Sequence, residues 1–600
     1  MERNPKSELL IFLLEVDPAL MPIAGPGNPL HDAVLHDTVH GALVKGLREL
    51  METLGILGEP VVEITSSQGP LDSRFMRLTV DGQVLHHSDE DLRSVYCWLT
   101  GSPIRVDITP AGMLAQMLAW LSRARGPEAS EADRDKLASL LTQTSLAIIK
   151  LQPSVLLGQA QVAEYIASLP VPETEGITRW PPDEGWLSQV LRQVLSLGIS
   201  IADRQAVAET LAPHVAGSSL DASEILIDVL RPEAIEIHVE KEYLRQLTTV
   251  DADSRSGSFA SLRDSMYAEM GISYPAFRLV PDARLGPRQF MFKLNHLAWV
   301  PRVGLGPEEC LVNDIPEALK LFNPAAVMAA NPASGQPNSI TNLEHKSVLE
   351  ANGYTTWDQM GYLILSQAAM LRRHGECIVG RQFAEQQLHQ LEGVFPAVVK
   401  TANSAASVAQ ITAVLRNLVA EEISLRNLRL ILERISDYQF RDDAGRPVVV
   451  DDAAAAFEVE KAMAEDDVAQ LTRFVRAGMK RQIGGKHSRG TNTVVVYLMD
   501  PAIEELISNY VSIEQSGNLN IRLAGEQQEH ILEPIRTEIR HLPPTAQIPC
   551  ILTTGEIRRA LRDTIALEFP RIPVIGYEEI LPGLNIQPIA RISWSARANA

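Results

Sequence analysis

The 22 residues VLRNLVAEEISLRNLRLILERI at 414–435 repeat, 224 positions later, the pattern of VLRQVLSLGISIADRQAVAETL at 190–211. Val190, Leu191, Arg192, Ile199, Ser200 and Glu209 return as Val414, Leu415, Arg416, Ile423, Ser424 and Glu433. Ordinary residue usage gives roughly one or two identities over such a length. Apolar positions coincide as well: Val194 with Leu418, Leu195 with Val419, Ile201 with Leu425, Val207 with Ile431 and Leu211 with Ile435. Their spacing puts one apolar stripe on each of two helices. Ser200 with Asp203, and Ser424 with Asn427, supply cap residues at the start of the second helix. Each copy therefore reads as helix, tight turn, capped helix.

Other segments follow in the same order. LRELMETLGI (47–56) pairs with LRDSMYAEMGI (262–272), each a helix closing at a glycine. Extended pieces come next, PVVEI (60–64) and PAFRLV (275–280), and then the alternating strands RFMRLTVDGQVL (74–85) and QFMFKLNHLAWV (289–300). The first of these turns at Asp81-Gly82. Finally LLTQTSLAIIKLQPSVLLGQAQVAEYI (140–166) matches LILSQAAMLRRHGECIVGRQFAEQQL (363–388), sharing a glycine at Gly158 and Gly380. A repeat this long is a duplicated fold rather than a solenoid unit. The expected architecture is α+β: two tandem modules, each with small α/β subdomains plus a helical subdomain. The first module spans about 8–231 and the second starts at 232, by Pro232. Within the second, 232–350 reads as an α/β subdomain, 351–400 as an inserted helical or α+β segment and 401–493 as a helical subdomain. Helix–strand alternation over 494–595 adds a closing α/β subdomain found only in the second copy. Loops are expected at 122–133, 171–185, 328–342 and 441–452.

Six hundred residues exceed what one core supports. The balance of 54 basic against 75 acidic residues, net −21, argues against a general nucleic-acid or anionic-membrane binder. Cys97, Cys310, Cys377 and Cys550 lie far apart with no CxxC pair, which predicts a reducing compartment and no structural zinc. The N-terminus holds only a short apolar run, Leu9 to Leu14, and no stretch approaches the ~20 apolar residues of a spanning helix. The chain is expected to be soluble and cytoplasmic, without cofactor or metal.

The strongest enzymatic signal is HDAVLHDTVH (31–40), where His36 and His40 share a helical face. The helical zinc-hydrolase pattern also needs a glutamate between them, and Asp37-Thr38-Val39 supplies none. We read the pair as surface histidines, with a metal-dependent enzyme as the outlying alternative. His86-His87 reads as a polar turn. GPGNP (25–29) lacks the strand-to-helix context of a phosphate loop, and KRQIGGKHSRG (480–490) lacks its spacing and reads as a surface loop. GSFASL (257–262) is not a nucleophile elbow. The acidic DDAAAAFEVEKAMAEDD (451–467) reads as an exposed helix.

Residues 232–595 resemble the cytosolic region of the FHIPEP family, the export-gate proteins of flagellar and type III secretion systems. RPEAIEIHVEKEYLRQL is similar to the family's opening strand and loop. Gly353, Tyr354, Thr355 and Asp358, followed by Gly380-Arg381-Gln382, resemble its Gly-Tyr-Thr…Asp and Gly-Arg-Gln motifs. VLRNLVAEEISLRNLRLILERISDY resembles its most recognisable hairpin, and CILTTGEIRRALRDTIALEFPRIPVIGYEEILPGLNIQPIARIS (550–593) its closing subdomain. The first half resembles a degenerate copy without that subdomain. Family members normally start with a multi-helix membrane domain, which has no counterpart in this sequence. The resemblance implies a soluble part that forms rings and docks export chaperones, secretion substrates or export-apparatus components. It places an apolar docking dimple near Glu376, Val379, Gly380, Arg381, Gln382 and Gln410. Val379 stands where an aromatic residue is common, which makes the dimple shallower. The expected function is non-catalytic protein binding, peripheral to the inner membrane through an export apparatus. The structural alternative is self-assembly, in which the first copy caps or seeds a ring.

Overall fold

A computed structural model describes residues 10–594 except 21–32, 68–70, 72–74, 125–130, 173–179, 216, 233, 249–251, 323–324, 439–464, 516–524 and 540–547. The chain starts with β1 (Ile11–Val16), α1 (Ala33–Leu54), β2 (Val61–Ser66), β3 (Met76–Val80) and β4 (Gln83–Leu85). Helices follow: α2 (Asp89–Leu99), α3 (Pro110–Ala124), α4 (Glu131–Leu151), α5 (Gln159–Ser168), α6 (Glu184–Ser196), α7 (Arg204–Leu211) and α8 (Ser219–Leu230). The second half opens with β5 (Ala234–Val239), α9 (Lys241–Thr248), α10 (Ala252–Met270), β6 (Ala276–Pro281), β7 (Gln289–Leu294), β8 (Leu297–Ala298) and β9 (Arg302–Val303).

The two opening sheets have the same order, β2-β1-β3-β4 and β6-β5-β7-β8, with β9 beside β7. In both, the first strand is parallel to the second and antiparallel to the third. Alternation makes these strands: Phe12, Leu14 and Val16 point into the core from β1, as do Ile235, Ile237 and Val239 from β5. Asp81 and Gly82, both with positive φ, make the tight β3–β4 turn.

A second correspondence joins each sheet's helix to its helical hairpin. The Ile201 N–H donates to Leu54 O at 2.8 Å, and the Leu425 N–H donates to Met270 O at 2.8 Å. At these crossings Gly55 (φ +77°) and Gly271 (φ +72°) are left-handed, and a Cβ would lie 2.3 Å from Ala202 N and 2.7 Å from Arg426 N. The obstacle is backbone in both cases, so it cannot swing aside. Gly271→Ala should therefore destabilise the chain by about 2–4 kcal/mol, combining left-handed strain with overpacking. A denaturant titration checks this, with Gly353→Ala as control: Gly353 also has positive φ, but open space surrounds its Cβ position.

An antiparallel sheet is inserted after β9, in the order β11-β12-β10-β13. Its strands are β10 (Glu309–Val312), β11 (Val327–Ala330), β12 (Pro337–Asn342) and β13 (Thr356–Trp357), with α11 (Lys346–Ala351) before the last. Because β13 pairs with β10, this sheet crosses residue 351. The helical region comprises α12 (Gln359–Arg373), α13 (Arg381–Glu392), α14 (Pro396–Ala405), α15 (Val408–Ala420), α16 (Leu428–Asp437), α17 (Glu465–Gly478) and α18 (Lys480–Ser488). The closing unit holds β14 (Thr493–Met499), α19 (Pro501–Gln515), α20 (Gly525–Ile539), β15 (Cys550–Thr553), α21 (Gly555–Ile565), β16 (Val574–Gly576) and β17 (Asn585–Ile592). Its sheet is all parallel, in the order β16-β15-β14-β17. The class is α+β.

One contiguous apolar cluster runs through both halves, from Leu10 and Phe12 to Leu552 and Ile575. A second core fills one side of the closing sheet around Ile503, Ile531 and Leu561. A third, around Cys310, Val312, Leu319 and Leu349, lies under the inserted sheet.

Three local expectations are corrected. The stretch 480–488 is helix α18, not a loop. Met479 and Ile483 bury its face, and Gly484 lets it approach Leu584, whose Cδ1 would lie 2.8 Å from an added Cβ. Packing overrides the poor helix propensity of two glycines. The expected loop 328–342 is largely the β11–β12 hairpin: its turn-forming residues are confined to Asn331–Gln336, where the Asn331 side chain accepts from the Ala333 N–H at 2.9 Å. His86 and His87 are buried, not in an exposed turn, because they lead into the Ser88 N-cap of α2 under the core. The expected loop 441–452, and nearly all of the expected helix 451–467, lie outside the described residues. No helix among the described residues is long and apolar enough to cross a membrane.

Candidate functional site

After α12, a single 3-10 turn (Gly375–Cys377) brings the chain to Gly380, the N-cap of α13. Gly380 has no side chain with which to cap that helix. The cap comes instead from the first half: Asp228 on α8 accepts the Gln382 N–H at 2.7 Å. A carboxylate there also faces the positive end of the α13 dipole. Arg231, just past α8, donates to Ile378 O at 2.9 Å. A Cβ at Gly380 would lie 2.5 Å from the Arg231 guanidinium and 2.7 Å from the Asp228 carboxylate, so glycine is what allows α8 so close.

Arg416 on α15 lies beneath this seam. It donates to Val379 O at 3.1 and 2.9 Å and pairs bidentately with Glu224 of α8 at 2.5 and 2.8 Å. The Glu224 side chain is 0% exposed and that of Arg416 15%. Burial works against the Arg416 charge, and the Glu224 carboxylate outweighs it. The repeat-equivalent Arg192 donates to the matching carbonyl, Leu157 O just before Gly158, the N-cap of α5, and also to Ser154 O. Asn295 ties the seam further by donating to Leu197 O at 2.7 Å.

Of the six residues expected to line an open dimple, Glu376, Val379, Gly380, Arg381 and Gln382 do come together. They are unequally covered: Gln382 is exposed and the Arg381 side chain is 30% exposed. Val379 is 0% exposed and Gly380 is covered by α8. Gln382 has its N–H tied to Asp228, and Arg381 pairs with Glu385 along α13 at 2.9 Å. Gln410 is buried and closes a capping box with Ser407 at the start of α15. The physical reason is the first half itself, whose last helix packs on this face. Sequence reasoning missed Glu224, Asp228 and Arg231. The i, i+4, i+7 spacing of Glu224, Asp228 and Arg231, along and just past α8, was the available signal, together with the recurrence of Arg192 as Arg416.

Glu376 lies at the edge of the seam with its side chain a quarter exposed, 3.9 Å from His374. Burial raises its pKa to about 7, only partly opposed by Arg373 and Arg416. Such a raised carboxyl costs stability as pH climbs from its unfolded value near 4.3 to about 7. Glu376→Gln should therefore stabilise the fold at pH 8 by about 1–3 kcal/mol and have little effect at pH 4.5, as read from urea midpoints at the two pH values.

His36 and His40 share one face of α1, with ring centroids 6.3 Å apart, and His36 Nδ1 lies 3.2 Å from Asp37 Oδ1. Among the described residues no three His, Cys, Asp or Glu side chains converge as metal ligands. All four cysteines are buried.

The FHIPEP family model matches residues 217–585, more than half of the chain and beginning just before α8. The chain belongs to the FHIPEP family. Among curated FHIPEP relatives, the low calcium response locus protein D of Yersinia pestis is 26% identical over 347 residues, covering 58% of this chain and 46% of that protein. The flagellar biosynthesis protein FlhA of Bacillus subtilis is 21% identical over 408 residues, covering 66% and 54%. The chain thus spans about half the length of the curated relatives it matches. Among solved structures, the Chlamydia pneumoniae CdsV protein is 28% identical with a TM-score of 0.50, covering 60% of this chain and 98% of that one. CdsV in its complex with CdsO scores 0.51 at 28% identity, covering 61% and 98%. This FHIPEP chain is therefore a relative of type III secretion and flagellar export proteins.

Proposed function

We propose that this chain is a non-catalytic protein-binding scaffold of an export apparatus, made of two gate-like modules in tandem. The reading rests chiefly on one observation: 98% of the CdsV chain is covered at 28% identity by this protein. CdsV has been solved with a second protein, CdsO, and we assign the second module here a comparable capacity to hold an export component, chaperone or substrate. Module boundaries are set at 8–231 and 232–595, the closing subdomain starting near 494. The shared sheet order and the paired Ile201–Leu54 and Leu425–Met270 crossings support a duplication. The chain then works on the cytoplasmic side, peripheral to the inner membrane through an export apparatus.

Val379 and Gly380 lie under α8, so docking uses surfaces other than the dimple unless α8 lifts. Affinity purification of the full chain from its native host tests the reading. Recovery of type III or flagellar export components is the expected result, and recovery of none overturns it. The same paired crossings also suit a self-assembly role, in which the first module stands where a neighbouring subunit would. Multi-angle light scattering separates the two, since a strict monomer removes self-assembly.

A further inference from the structure

We infer that residues 88–105, the first turn of α2 through the loop after it, are an intramolecular brace holding the inserted sheet and the closing unit in fixed relation. This segment lies outside the family match at 217–585, so the role belongs to what this chain adds. It does not depend on which partner the second module docks.

Four contacts carry the inference, each to a different part of the second half. Glu90 accepts from Arg571, in the loop between α21 and β16, at 2.7 and 2.8 Å. Asp91 accepts from Arg373, at the end of α12, at 2.8 and 2.9 Å. Trp98 Nε1 donates to the Gln289 side chain on β7 at 3.2 Å. Ile104 O accepts the Ala330 N–H of β11 at 2.8 Å.

Arg571 is the joint. Its guanidinium lies between Glu90 and the tip of the β11–β12 hairpin, where a Cβ on Gly335 would be 2.6 Å from it. Closing unit, inserted sheet and first half therefore meet on one side chain. Bidentate pairs fix direction as well as distance, which a smooth apolar contact does not. The local chemistry suits the task, because Ser88 caps α2 and the carboxylates of Glu90 and Asp91 stand in its first turn, where the helix dipole favours them. The inserted sheet needs such support: its own core is small, and its N-terminal hairpin strand β11 is an edge strand whose Ala330 N–H is satisfied only across the junction.

The test is hydrogen–deuterium exchange on the full chain carrying Glu90→Gln together with Arg571→Gln. Neutralising both partners removes the two charges of the pair together, which costs less than leaving either without its partner. Exchange should quicken by about fivefold in β11–β12 and in residues 570–576, while α14 to α16 keep their parental rates. Parental rates in both segments of the neutral double variant would overturn the brace, as would equal acceleration throughout the chain. If the neutral pair fails to fold, Ala330→Pro decides, since it removes the β11 N–H that donates to Ile104 O, on an edge strand and without touching a charge. Faster exchange confined to β11–β12 then supports the brace, and unchanged exchange there overturns it.

Discussion

Arg416→Ala should destabilise the protein by about 3–5 kcal/mol, more than any surface ion pair in it would cost. The substitution leaves the fully buried Glu224 carboxylate with no guanidinium and removes two donors from Val379 O. An uncompensated buried charge, not the lost attraction, sets that magnitude. The double variant Arg416→Met with Glu224→Leu should recover most of the loss, because two apolar side chains need no partner. Denaturant unfolding of the singles and the double forms a cycle. If Arg416→Ala costs under about 1 kcal/mol, the seam contributes no more than an exposed pair.

Arg476→Met should have the next largest effect, about 3 kcal/mol or more, concentrated in the closing unit. Arg476 on α17 is 2% exposed and holds Glu579 at 2.6 and 2.9 Å and Glu421 at 3.2 Å. Arg558 on α21 joins the same two carboxylates. Burial alone would raise the Glu421 pKa, but Arg476 and Arg558 overcome it and hold it at about 2. A depressed carboxyl stabilises the fold above its unfolded pKa near 4.3, and that contribution disappears as pH falls from about 5 towards 2. The parent chain should therefore lose about 3 kcal/mol over that interval from this group, and Arg476→Met distinctly less. Unfolding midpoints between pH 2 and 6 measure both slopes. Limited proteolysis of Arg476→Met should cut first between 493 and 594.

Elements set by local rules were legible. Alternation in AIEIHV, the Asp81-Gly82 turn and the glycines closing α1 and α10 all acted as their chemistry requires. The repeat also pointed to Arg192 and Arg416, though not to their use. Packing context was not legible. A GG-containing stretch became α18 because Met479 and Ile483 are buried, and His86-His87 went inside because α2 caps directly after them. Nothing near 376–410 indicates that Asp228 and Arg231, some 150 residues earlier, pack against Gly380.

By itself, the sequence determined the α+β class and many of the helices, strands and turns, because periodicity and turn chemistry act over a few residues, and its motifs carried the resemblance to the FHIPEP family. Which surfaces stay free was decided only in three dimensions. Asp228 on the Gln382 N–H, Glu224 on Arg416 and Glu90 on Arg571 join residues 154, 192 and 481 positions apart. A buried charge needs its partner nearby in space and is indifferent to distance along the chain, so that pairing appears only once the chain has folded.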